Sequence, residues 1–217
     1  MKKFILIYFS ISIFIPAIIA LFKFKKSDYK DRFFYYFIFV SASLDILLRY
    51  LKVVYKNNLV VFNIFALTDL VFLVLAFYSW GLFQKKKHIV YWIIGVFSVF
   101  WITEHLILSS VLRPNPYSRV FSSIIITLLS INMISKSLIM DKQVFYKNYK
   151  FLAALGAFLL YSNIAAISFF WFNTNVIFAG KFQNLLNISQ EITNLCTNLL
   201  YALALLWMIP YRKFTME

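Results

Sequence analysis

The sequence predicts an all-α, polytopic membrane protein: a seven-transmembrane-helix bundle with its N-terminus outside and its C-terminus inside. Three observations carry this. Of the 217 residues, 62% are hydrophobic and 21% aromatic, and only 14% are charged, against roughly 25% charged in soluble domains. A soluble fold of this size has too little interior to hide so much apolar surface. The apolar residues also fall into runs near the ~20 residues that a bilayer-spanning helix needs. Finally, several runs carry polar residues at helical spacing, and in lipid such a stripe must turn toward other helices. With only 4 Gly and 4 Pro there is no room for a flexible linker, so residues 1–217 read as a single transmembrane domain.

The first span is expected at about 4–21, after Lys2 and Lys3. Ala17 and Ala20 imitate a signal-peptide cleavage site, but the apolar run is long for that and further spans follow. Pro16 is expected to kink it. A basic connection with Lys23, Lys25, Lys26, Lys30 and Arg32 leads to span two, about 33–55. There Ser41, Asp45 and Arg49 recur at four-residue steps and share a helix face. Span three, about 59–82, carries Asn63, Thr68 and Asp69. Span four, about 89–112, carries Trp101, Glu104 and His105, and stops at Arg113-Pro114-Asn115-Pro116.

Span five, about 119–140, places Ser123, Thr127 and Ser130 on one face with Asn132 beside them. Span six, about 151–172, has Tyr161, Ser162 and Asn163 at its middle. Span seven, about 185–209, holds the clearest pattern. Asn187, Glu191, Asn194, Asn198 and Tyr201 recur at steps of four and three, so all lie on one face, and the other spans are expected to arrange themselves around it. Pro210 ends it, and Tyr211-Arg212-Lys213 anchors it at the interface.

Charge sets the orientation. The connections after spans one, three and five, with the C-terminus, carry most of the 22 Lys and Arg, and such loops stay cytoplasmic. At about 1.5 Å of rise per residue, Asp45 and Asp69 fall near the middle of a hydrocarbon core about 30 Å thick, level with Asn163 and Thr127. Glu104, His105, Arg49 and Glu191 fall in an outer layer. An acid at a helix centre costs about 2.5–3.5 kcal/mol on insertion, so these groups are expected to face inward, with Arg49 as the only interior arginine.

The net charge of +14 fits basic loops against anionic lipid headgroups, and no nucleic-acid partner is expected. The single Cys196 excludes an intrachain disulfide, and no metal-ligand spacing occurs, so neither metal nor cofactor is called for. HExxH, GxSxG and Gly-rich phosphate loops are absent from the sequence. So are a mid-span lysine in span seven and the inverted repeats of transporters.

Tyr117 to Ile134, YSRVFSSIIITLLSINMI, and the tail LLYALALLWMIPYRKFTME resemble segments of small seven-span membrane proteins of Bacteroidetes. The acidic positions in SLDILL, ALTDLVF and WITEHLIL resemble acidic positions of the same proteins. The resemblance implies a heptahelical bundle in the inner membrane and supplies no established activity. The lysoplasmalogenase family also has small many-span members with intramembrane acids, but its motifs are not matched here.

The functional expectation is a sensor or receptor-like module. A small polar or cationic ligand would enter from outside and meet Glu104, His105, Glu191, Arg49, Asn187 and Asn194. Below them would lie a polar core of Asp45, Asp69, Asn163, Asn198 and Tyr201, and signalling would need a cytoplasmic or membrane partner. The alternatives are a lipid hydrolase with Asp45 and Asp69 as acid and base, a proton or ion pathway, or an accessory membrane protein of a defence system. The structural alternative is that the Asn and Ser residues are interhelical glue and Asp45–Arg49 an ion pair.

Overall fold

The computed structural model describes residues 12–56, 58–84, 86–108, 116–140, 144–173 and 181–208. Among these the regular structure is entirely helical. In chain order the α-helices are α1 (Phe14–Lys23), α2 (Arg32–Val54), α3 (Leu59–Ser79), α4 (Lys87–Ile102), α5 (Pro116–Met140), α6 (Tyr149–Asn173) and α7 (Lys181–Trp207). The last turn of α4 widens into a π-helical segment, Thr103–Leu108. Four stretches are long and apolar enough to cross a membrane: Leu59–Ser79, Lys87–Leu108, Tyr117–Ile139 and Tyr149–Phe169. The rest differ visibly. The α1 helix is described over 10 residues only, and α2 and α7 carry charged or amide side chains at mid-length. The expected N-terminal half of span one, Lys85, the Pro-containing loop after span four and the C-terminal anchor lie outside the described residues.

The observed ends refine the expected ones for local reasons. The α3 helix stops before Gly81, whose φ of +85° is a left-handed conformation that glycine adopts without strain. The α5 helix is described from Pro116, ahead of the expected 119, and proline's fixed φ is compatible with a first helical turn. That shift places Arg119 inside the helix rather than at its edge.

Helix packing builds a ring. Each of α1, α2, α3, α5, α6 and α7 packs against the next, and α7 returns to α1. The α4 helix stands outside this ring, seated mainly on α3. Its composition explains the position. Val90 and Phe97 are its only buried apolar residues, while Tyr91, Trp92, Val96 and Val99 are exposed, which suits a helix facing lipid on most sides. The α5–α6–α7 side closes tightly through small residues. Ala153, Ala154 and Ala157 are almost fully buried, and a Cβ at Gly156 would lie 2.8 Å from the Tyr201 ring. Small residues allow backbones to approach where lipid offers no hydrophobic drive.

Charged and amide side chains satisfy helix ends across the bundle. Lys23 Nζ donates to the Leu205 and Leu206 carbonyls at 3.0 and 2.6 Å, capping the C-terminus of α7, where a cation also suits the helix dipole. Lys136 Nζ donates to the Gly81 carbonyl just past α3. Asn148 Oδ1 accepts from the Lys150 and Phe151 N–H groups at the start of α6. At that same end the indole of Trp80 donates to Asp31 at 2.9 Å. The rings of Phe34, Trp80 and Tyr201 pack beside it, with both centroid separations from Phe34 at 5.4 Å.

Candidate functional site

The centre of the ring is polar. Asp69 lies halfway along α3, and Arg119 sits in the first turn of α5, which packs against α3. The two attract one another electrostatically, and Tyr161 on α6 and Ser41 on α2 approach the same carboxylate. Tyr201 on α7 lies within the field of Asp69 as well. All the ring helices except α1 therefore aim a polar group at one place.

The geometry at this centre is open rather than closed. Among the described residues Arg49 and Asp45 form a close ion pair and His105 Nδ1 lies 3.8 Å from Glu104, whereas Asp69 and Arg119 attract one another from beyond direct contact. The Arg119 guanidinium stacks on the Phe62 ring, 3.7 Å from its centroid. That contact orients its plane and leaves the N–H edge free for an acceptor. The Tyr161 and Tyr201 hydroxyls are buried without a well-formed hydrogen bond. Tyr161 is within reach of Asp69, but its hydroxyl falls short of bonding geometry. Asp69 and Arg119 are enclosed by protein and yet keep part of their surface accessible.

The expected outer layer divides into two places. Arg49 Nε donates to Asp45 Oδ2 at 2.7 Å, one turn away on the same helix. Glu191 of α7 feels Arg49, Asp45 and Lys52, and its Oε2 is buried without a hydrogen-bond partner. Glu104 is elsewhere. Its carboxylate accepts the Tyr117 and Ser118 backbone N–H groups at 3.0 and 2.7 Å. It thus caps the N-terminus of α5, where free N–H groups and the helix dipole favour a negative charge. His105 stacks on Trp101 with centroids 4.5 Å apart. Its Nδ1 lies 3.0 Å from the Trp101 carbonyl, so Nδ1 carries the proton, and Nε2 is buried and unpartnered.

Amide side chains join α7 to its neighbours at two places. Asn198 donates to Ser12 at 2.8 Å and to Asn194 at 3.3 Å. Asn163 donates to Thr193 at 3.0 Å. Asn187 is exposed.

Two expectations need correction. Arg49 is not the only interior arginine, because the early start of α5 carries Arg119 into the ring. Asp45 and Asp69 do not form one site. Asp45 is engaged by Arg49, whereas Asp69 answers to Arg119, Tyr161 and Ser41. A signal for Arg119 was present: it heads the Ser123, Thr127, Ser130 stripe at helical spacing, and Ser123 and Ser130 are indeed buried.

Comparison of the chain with family models, curated proteins and solved structures finds no match. The fold and the site themselves define the class: an α-helical membrane protein with an enclosed, oppositely charged centre.

Proposed function

We propose that the chain is a seven-span sensor or receptor-type module of the bacterial inner membrane, N-terminus out and C-terminus in, that binds a small polar ligand between Asp69 and Arg119. One observation supports this above the rest: two opposite charges on neighbouring helices attract one another without closing into an ion pair, beside two buried hydroxyls that lack a hydrogen-bond partner among the described residues. Glu191, with Arg49, Asn187 and Asn194, is assigned to the approach to this centre, and Glu104 to holding α5 in place. His105, packed on Trp101 beside Glu104, supports that same junction. A hydrolase using Asp45 and Asp69 together is disfavoured because the two acids answer to different partners. The basic loops are proposed to meet a cytoplasmic or membrane-bound signalling partner.

The reading is tested by native mass spectrometry of the protein released from nanodiscs. A small molecule should copurify with the native chain and be lost from Asp69→Asn and Arg119→Gln variants that still migrate as folded protein. Loss from neither variant, or proton flux through reconstituted vesicles in place of a bound species, would sink it. Orientation is tested separately: a Lys86→Cys variant should resist an impermeant thiol reagent in intact spheroplasts.

A further inference from the structure

The chemistry of the ligand can be taken further, on the footing that the Asp69–Arg119 centre is a binding site. We infer that it takes a zwitterion, a group pairing an ammonium with an anionic oxygen group, its cationic end on Asp69 and its anionic end on Arg119.

Charge balance is the first argument. The centre holds one carboxylate and one guanidinium. A simple anion bound to Arg119 would leave Asp69 beside a new like charge, and a simple cation would do the same to Arg119. In an enclosed site such an imbalance is expensive. A ligand carrying both charges satisfies both residues at once and adds no net charge.

Donor inventory is the second. A guanidinium offers a planar edge of N–H donors that matches a carboxylate or phosphate. Phe62 covers one face of Arg119, so recognition is left to that edge. Tyr161 and Tyr201 are 3% and 1% exposed, and both of their hydroxyls are buried without a hydrogen-bond partner among the described residues. Both lie in the field of Asp69, so they can accept hydrogen bonds from the cationic end of the ligand. Buried hydroxyls left unmatched are costly, and a dipolar ligand meets that need where a hydrocarbon would not.

Two sources supply this chemistry: a free amino acid from solution and the headgroup of phosphatidylethanolamine from the membrane. Both present an ammonium a short spacer away from anionic oxygens. The experiment separates them.

The test uses the full chain in phosphatidylglycerol nanodiscs, which contain no ammonium group. Thermal stability and calorimetric binding are measured with glycine, β-alanine and 4-aminobutanoate, and with the half-ligands butanoate and butylammonium. At least one zwitterion should bind about tenfold or more tightly than either half, since each charged hydrogen bond contributes at least that factor. Asp69→Asn should remove the advantage of the ammonium and leave weak butanoate binding. Arg119→Gln should do the reverse, and Arg119→Lys should restore part of it. If the free zwitterions fail, phosphatidylethanolamine nanodiscs should raise the melting temperature of the native chain but of neither variant, which assigns the site to the lipid headgroup. Half-ligands binding as tightly as zwitterions would overturn the inference, as would failure of both sources. If native mass spectrometry then still finds a bound species lost from both variants, binding at this centre survives and only the zwitterion assignment falls.

Discussion

Asp45–Arg49 and Asp69–Arg119 pair the same two residue types in opposite ways. In the first, the partners stand one turn apart on α2, touch at 2.7 Å, and keep 36% (Arg49) and 23% (Asp45) of their side-chain surface. In the second, they stand on different helices, are enclosed, and do not touch. Helix geometry alone makes the first couple, because side chains four residues apart meet on any helix. The second exists only because α3 and α5 pack together. A local pair satisfies itself and leaves little to bind anything else. A pair held apart by the fold keeps its hydrogen-bonding capacity for something else.

This contrast is sharpest in stability. Arg119→Ala and Asp69→Ala should each cost about 3–5 kcal/mol, because each leaves an enclosed charge without its counterpart. The double variant should cost less than their sum. A denaturant series in detergent measures this, and strict additivity would mean that the two charges are not coupled.

Glu104 comes next. Glu104→Gln replaces one of the two acceptor oxygens with a donor and removes the charge at the start of α5. The loss should be about 1 kcal/mol, the usual scale for an N-cap. Faster hydrogen exchange should appear at Tyr117 and Ser118 while the centre of α5 stays protected. Uniform loosening of the whole bundle would point to a wider role than capping.

Arg49→Ala should cost only about 0.3–0.5 kcal/mol, the scale of an exposed pair one turn apart. A loss as large as that of Arg119→Ala would erase the distinction between the two couples and make the Glu191 neighbourhood a second structural centre.

Asp31 gives the smallest and most specific effect. It lies outside the spanning helices, and burial pushes its pKa up, against the hydrogen bonds from Trp80 and Tyr149. A carboxyl raised in the folded state contributes stability that is fully present below its unfolded value, about 3.9. That contribution is lost as pH rises through the folded value. Asp31→Asn should therefore flatten the acid limb of the melting-temperature profile and gain on the native chain toward neutral pH. An unchanged slope would show that another group sets it.

Much of this architecture was legible before any coordinates. Lipid imposes the rule that backbone groups bond internally, so long apolar runs have to become helices, and the ends of α2, α3 and α6 fall within a few residues of where the runs end. The stripe of α7 and the spacing of Asp45 to Arg49 follow from the helical repeat. The same repeat set Arg119 at the head of the α5 serine stripe, but only the observed helix start at Pro116 shows it inside.

What the sequence by itself determined, then, is the helical class and the polar face that each helix presents. The pairing of those faces was decided by tertiary structure alone. Depth along a helix comes from residue count, but rotation and neighbour choice come from packing. The small residues of α5, α6 and α7 draw those helices together, and α4 is left on the outside with Glu104 spent on the end of α5. Glu104 and Glu191 lie at similar depth by count and yet answer to different partners, because depth is a one-dimensional quantity and a binding site is not.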